Sequence, residues 1–289
     1  MLPLEECGVT RQTSGMKNRV NAYRLAFVDL DDTLLGPDKT ISPANLAAIH
    51  RLRANGVHVA VASGRHHKNI TAMDEIGEQT WVLSSHGSVV RHEQTGEILL
   101  EMTMDPRLVA QVCDRARELG LSLIAYHRDG AFIEQATKWT DLYARNSGWE
   151  PQVMKLRDLP AAGFQKLLWS DEPERVQNLA AAIQAEFAGR LNVMVTNPEL
   201  LEFLSSTANK AVGAQALTGK LGICAEETLA FGDGNNDVEL LRWAGVSVAM
   251  NHGRASARQA ARFVSPAGAP EEAFSRAVEV ALGELSGEG

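Results

Sequence analysis

Short apolar runs ending in carboxylates or hydroxyls alternate along this chain with stretches whose apolar positions recur at helical spacing. Leu25 to Asp29 is the first such run, and it predicts a buried parallel strand whose C-terminal end opens into a loop. A helix is expected next, with Ser42 as N-cap, Pro43 at its first position, Leu46, Ala47 and Ile49 on one side, and Gly56 just past its end. Val57 to Ser63 and Trp81 to Ser84 predict two more strands. This rhythm of strand and helix is that of a parallel sheet covered on both faces.

The pattern changes near Gly87. Ser88–His92 and Glu97–Met102 predict a hairpin around Gln94-Thr95-Gly96, and Leu121–His127 and Ala131–Gln135 predict another through Arg128-Asp129-Gly130. A helix capped by Asp105 and Pro106 and ended by Gly120 is expected between them. Phe164 to Ser170, a helix from Pro173 and Leu191 to Thr196 complete a region that reads as an α+β module. From Asn209 the first rhythm returns, with a helix from Lys210, a strand at Thr228–Asp233, a helix through Val238 to Trp243, a strand at Val246–Met250 and an amphipathic tail from Pro270 to Leu282. The expected fold class is therefore α/β, a Rossmann-like parallel-sheet core with an inserted α+β domain. The expected boundaries are a loose extension at 1–21, core at 22–86, insertion at 87–197 and core again at 198–289. Met16 is an alternative start.

Composition narrows the function classes. Against 28 basic residues stand 36 acidic ones, a net charge of −8, so no basic excess exists to neutralise a nucleic-acid backbone. No apolar run approaches the roughly 20 residues that span a bilayer, and the polar N-terminal stretch does not read as a secretory signal. A cytoplasmic location is the expectation, with neither nucleic acid nor membrane as partner. Cys7, Cys113 and Cys224 lie far apart with no metal-ligand spacing and read as unpaired thiols.

Four local features stand at the ends of expected core strands, where open α/β sheets bind ligands. Asp29-Leu30-Asp31-Asp32-Thr33 crowds three carboxylates at one strand end, a repulsion that a hard cation such as Mg2+ relieves; its bland alternative is an acidic turn. Ser63-Gly64-Arg65 offers a hydroxyl and exposed backbone N–H groups to a phosphate oxygen, or else a plain N-cap at a helix beginning after Gly64. Lys210 opens a helix, where a cation opposes the helix dipole unless a buried anion lies nearby; a solvated lysine is the alternative. Gly232-Asp233-Gly234-Asn235-Asn236-Asp237 packs more polar groups behind a strand than an Asx turn requires.

In this order the four features resemble the haloacid dehalogenase superfamily, whose motifs DxDx[TV], Ser/Thr, Lys and GDGxND match Asp29-Asp31-Thr33, Ser63, Lys210 and Gly232–Asp237. The Ser-Gly-Arg form and the long insertion are similar to its Cof-like branch, whose members are mostly phosphatases of sugar phosphates and other small phosphomonoesters. Three departures stand out: Asp32 where the family usually has Gly, His86-Gly87-Ser88 where it has Asn-Gly-Ala, and Asn251-His252-Gly253 where it has Gly-Asn-Ala. The resemblance implies a Mg2+-dependent phosphatase acting on a small-molecule phosphate ester, a sugar phosphate foremost, through an aspartyl-phosphate. It implies Asp29 as nucleophile and Asp31 as acid and base. Ser63, Gly64, Arg65, Lys210 and Asn236 would hold the phosphate, and Asp29, the Asp31 carbonyl, Asp233 and Asp237 the metal. A phosphomutase or phosphotransferase, similar to the phosphomannomutases, and a non-catalytic binding protein on the same fold are the alternatives. His127, Arg128, Arg145 and Asn146 are candidate selectors in the cap, although each also reads as a solvated loop residue. His66, His67, His86 and His92 form no transition-metal spacing. No reading of oligomeric state follows from the sequence.

Overall fold

The computed structural model describes residues 23–70, 73–77 and 80–286, so the expected extension at 1–21 lies outside the described residues. Among the described residues fourteen strands form two sheets: β1 Leu25–Val28, β2 His58–Ala62, β3 Trp81–Ser84, β4 Val89–His92, β5 Ile98–Glu101, β6 Ser122–His127, β7 Gly130–Ile133, β8 Gln152–Val153, β9 Phe164–Ser170, β10 Leu191–Val195, β11 Leu200–Ser205, β12 Thr228–Gly232, β13 Val246–Ala249 and β14 Phe263–Val264. The first sheet runs β14-β13-β12-β1-β2-β3-β4-β5, and the second β10-β11-β9-β6-β7-β8.

In the first sheet all pairs from β14 to β3 are parallel, and β4 and β5 add an antiparallel edge. Its central strands are buried on both faces, which is why β1 is a continuous apolar run rather than an alternating one. Ala26 and Val28 point into a core shared with Ile49, Leu52, Phe274 and Val278, whereas Leu25 and Phe27 point into one with Ala214, Leu217 and Leu240. Helices Pro43–Ala54 and Ala273–Ser286 cover one face, and helices Lys210–Leu221 and Val238–Trp243 the other. Ser42 caps its helix as expected, accepting the Asn45 N–H through Oγ at 3.2 Å.

The second sheet is antiparallel except where β7 meets β8. Helices Pro106–Leu119 and Pro173–Glu186 cover one face, closing a core around Trp169, Phe187 and Phe203. Its other face carries Ile124, Tyr126, Ile133, Tyr143, Leu168 and Leu200.

Sheet pairing divides the chain differently from the expected boundaries at 87 and 197. The hairpin β4–β5 pairs with β3 and extends the first sheet, and Leu200–Ser205 belongs to the second. Hairpin pairing is local and says nothing about which sheet a hairpin joins, and the Asn197-Pro198 turn signal passes for the end of the module. Cys113 is a free, buried thiol, and Cys7 lies outside the described residues. Among the described residues no helix is long and apolar enough to cross a membrane.

Candidate active site

The strand order reverses between β1 and β12: the chain proceeds from β1 towards β3 on one side and from β12 towards β14 on the other. Asp29 follows β1 and Asp233 follows β12, so both stand at the topological switch point, outside the carboxyl ends of the strands. Ser63 follows the neighbouring β2. Lys210 reaches them from the start of its helix, which packs against the turn at Ser85–Gly87. Gly87 makes that approach possible: at φ 83° a Cβ would come within 2.5 Å of the Asn209 carbonyl oxygen.

The Lys210 ammonium is fully buried, 2.5 Å from Asp29 Oδ1 and 2.6 Å from Asp237 Oδ1. That answers why a lysine opens this helix: two buried carboxylates outweigh the adverse dipole. The other Asp237 oxygen accepts the N–H groups of Asp233 at 3.0 Å and Gly234 at 2.9 Å, folding the loop back on itself. Thr33 donates to Asp233 Oδ1 at 3.1 Å and so ties the two strand ends together. Oxygens of Asp29, Asp233 and Asp237 all lie within 4.8 Å of one another, arranged as a metal-holding group would be.

One ammonium does not balance three carboxylates. Burial, then the neighbouring Asp237 and Asp233, push the Asp29 carboxyl well up despite Lys210. Burial, Asp237 and Asp32 push Asp233 up to about 7. Lys210 itself is held charged: burial opposes this, but Asp237 and Asp29 raise its pKa. The donor set consists of hard oxygens carrying excess negative charge, which fits Mg2+.

Asp31 belongs to a different arrangement. Arg65 forks onto its carboxylate through Nε at 2.7 Å and Nη2 at 2.6 Å, and Lys39 adds a contact at 3.0 Å. Burial works against the charge, but the Arg65 fork and then Lys39 hold the carboxyl below its ordinary range. Arg65, expected to face phosphate, is therefore engaged with Asp31. Ser63 is buried and accepts the Arg65 N–H at 3.1 Å; the short helical turn that follows begins only at His67 and is capped by His66, not by Ser63. Asp32 has φ 58°, the left-handed region that glycine adopts freely, so the departure from the family's glycine is accommodated by an aspartate at some local strain.

Between the sheets lies a cavity of about 450 Å³. Asp29, Asp31, Arg65, Asp233 and Asn236 line it from the first sheet, and Tyr126, Tyr143, Lys166, Leu168 and Glu202 from the second. Of the expected selectors Asn146 lines it. His127 is instead buried, with Nε2 bonded to the Ala162 carbonyl at 3.0 Å; Arg128 pairs with Glu101 at 2.9 Å, and Arg145 is exposed. Lys166 and Glu202 escaped the sequence reading. A single charge inside each of the apolar runs Phe164–Ser170 and Leu200–Ser205 was the available signal, since a buried charge needs a partner.

Comparison with known proteins agrees with this geometry. The family described as haloacid dehalogenase-like hydrolase matches residues 26–271. The chain is 30% identical over 232 residues to the HMP-PP phosphatase of Serratia proteamaculans (strain 568), covering 80% of this chain and 84% of that protein. It superposes on a haloacid dehalogenase-like hydrolase from Bacteroides thetaiotaomicron with a TM-score of 0.78 at 24% identity, over 90% of this chain and 99% of the other. A sugar phosphatase of HAD subclass IIB gives a TM-score of 0.77 at 18% identity, over 90% and 99% of the two chains.

Proposed function

Because this chain belongs to the haloacid dehalogenase-like hydrolases and is a phosphatase, we propose that it hydrolyses a small phosphorylated metabolite with Asp29 as nucleophile and Mg2+ as cofactor. The carrying observation is the excess of negative charge at Asp29, Asp233 and Asp237 around the ammonium of Lys210, with Asp29 and Asp233 lining a cavity.

A phosphate ester resists attack because its anionic oxygens repel nucleophiles. Asp29, Asp233, Asp237 and the Asp31 carbonyl would hold Mg2+, which supplies Lewis-acid neutralisation of the phosphoryl charge. An Asp29 oxygen bonds to phosphorus as the bond to the leaving oxygen breaks, giving an aspartyl-phosphate. Asp31 gives its proton to the leaving alkoxide, then takes one from the water that cleaves the acyl phosphate, releasing inorganic phosphate and restoring Asp29. Lys210, the Asn236 amide and the Ser63 hydroxyl stabilise the phosphoryl oxygens. The Arg65 fork keeps Asp31 ionised, so Asp31 must first leave that fork and take up a proton before it can pass one to the leaving oxygen. An arriving phosphoryl group competes with Asp31 for the guanidinium, which gives Arg65 its phosphate contact and frees Asp31 together.

The second sheet, within residues 103–207, acts in this reading as a cap that excludes water and selects the leaving group. Sugar phosphates remain candidates. HMP-PP heads the list because the 30%-identical relative carries that activity in its name, and Tyr126, Tyr143, Leu168 and Leu200 offer the leaving group an apolar and aromatic wall. A panel of HMP-PP, sugar phosphates and nucleotides, assayed for inorganic phosphate with Mg2+ and with chelator, tests the reading. Turnover that ignores the chelator would remove the metal, and an isomeric phosphate ester in place of free phosphate would make the enzyme a mutase.

A further inference from the structure

His86 stands where the strand–turn after β3 runs through two successive left-handed residues, Ser85 at φ 48° and His86 at φ 56°. Such backbone is sparsely populated for non-glycine residues and persists only when its surroundings hold it. Here the holding groups come from both sheets. The imidazole lies flat against Gly64, where a Cβ would come within 2.4 Å of its Cε1.

The hydrogen bonds fix its tautomer. Nδ1 is 3.1 Å from the Asn236 side-chain nitrogen, a donor only, so Nδ1 accepts. Nε2 therefore carries the proton and donates it to Glu202 Oε2 at 2.6 Å. Burial, then the adjacent Lys166, keeps this histidine neutral. Glu202 is fully engaged: Oε2 also faces the Lys166 ammonium at 2.9 Å, and Oε1 accepts from Thr196 at 2.8 Å. Lys166 in turn donates to the Gly64 carbonyl at 2.9 Å. Glu202, Lys166 and Thr196 belong to the second sheet or its edge, whereas His86, Gly64 and Asn236 belong to the first. His86, Lys166 and Glu202 are each at most 4% exposed.

We infer that Glu202 acts through His86 as a positioning residue for Asn236, so that the second sheet, when seated, orients the amide that meets the phosphoryl group. The inference rests on the phosphate role of Asn236 proposed above. An asparagine amide can turn about its last side-chain bond, and Asn236 lines the cavity. The imidazole, pinned by a carboxylate from the opposite sheet, fixes that rotation before substrate chemistry begins. The relay runs from Glu202 through His86 to Asn236, all residues of this chain.

The test uses the full chain, p-nitrophenyl phosphate and Mg2+. Glu202→Gln lowers kcat about tenfold with KM within about twofold, the pattern of lost alignment rather than lost ground-state binding. In a His86→Asn background, where asparagine tolerates the left-handed backbone but does not reach Glu202, the same Glu202→Gln change costs less than about twofold, since the relay is already cut. An equal loss in both backgrounds, or a change confined to KM, overturns the inference, because a purely structural or substrate-contacting glutamate behaves in those ways. If Glu202→Gln does not fold, Thr196→Val loosens the same carboxylate and the same dependence on background is expected. Should the wild-type enzyme release no phosphate from any member of the panel above, the phosphatase reading fails and the relay fails with it. Wild-type turnover with background-independent losses removes the relay alone.

Discussion

Two buried lysines, Lys210 beneath the first sheet's strand ends and Lys166 in the second sheet, each pair with buried carboxylate, yet the two clusters differ in balance. Lys166 faces one carboxylate, Glu202, whose oxygens are all occupied, and a neutral imidazole completes the set. Lys210 faces Asp29 and Asp237 with Asp233 close behind, and the surplus charge raises both Asp29 and Asp233. A balanced buried cluster has no need of a further ion and serves alignment. An unbalanced one is incomplete chemistry, held by the fold in a state that a cation and a phosphoryl group together resolve.

Removing one carboxylate from each cluster separates them most sharply. Asp29→Asn is expected to lower kcat by about a thousandfold or more while the protein stays folded, because it deletes the nucleophile and also relieves repulsion. Phosphate release and a thermal melt check both halves; full Mg2+-dependent turnover would sink the assignment. Glu202→Gln should do the reverse in stability, costing about 3 kcal/mol in denaturant titration, since it leaves the buried Lys166 without its carboxylate.

Metal addition should discriminate next. Saturating Mg2+ is expected to raise the melting temperature by a few degrees, consistent with about 2.7 kcal/mol at a hundredfold excess over Kd. Asp233→Asn should shrink that rise, and Thr196→Val should leave it intact. A Mg2+ response of the same size in both variants would place the cation elsewhere.

The two clusters also carry opposite pH signs in chelator. Asp233, raised from 3.8 to about 7, binds more protons folded than unfolded, so its contribution is full below 3.8 and is lost as pH rises through 7. Although burial opposes it, Lys166 and then His86 depress the Glu202 carboxyl below 4.5, so its contribution is present above 4.5 and lost as pH falls. Melting curves of metal-free protein should therefore show a smaller neutral-side decline in Asp233→Asn, where Asp29 still contributes, and a smaller acid-side decline in Glu202→Gln, where Asp31 still contributes. An exposed pair sets the baseline: Lys138→Ala, which breaks the contact to Glu172, should change stability by no more than about 0.5 kcal/mol.

The two clusters were unequally legible in the sequence. The Asp29 cluster announces itself because each carboxylate or lysine follows or opens a regular element, where turn chemistry and strand ends mark it locally. Even so, the partner of Arg65 was missed, because a guanidinium at a strand end reads equally well towards phosphate and towards Asp31. The Glu202 cluster joins residues 102 and 116 positions apart, as with Gly64 to Lys166 and His86 to Glu202. No local pattern encodes such pairings, and only the charge inside an apolar strand hinted at them. The fold class was legible from periodicity. The sheet membership of β4–β5 and β11 was not, since register and pairing partners are tertiary choices.

The chain enters and leaves the second sheet side by side: Thr207 Oγ1 lies 3.8 Å from Met102 Sδ. With both crossings at one doorway, the intervening stretch has the form of a cassette. A chimera spliced there would exchange the choice of leaving group while the strand order around Asp29 stayed as it is, and a donor lacking an acid at the Glu202 position would arrive without the means to orient Asn236. Recombination within such enzymes would then be selected twice, once for the ester admitted and once for the fit between one imidazole and its incoming carboxylate.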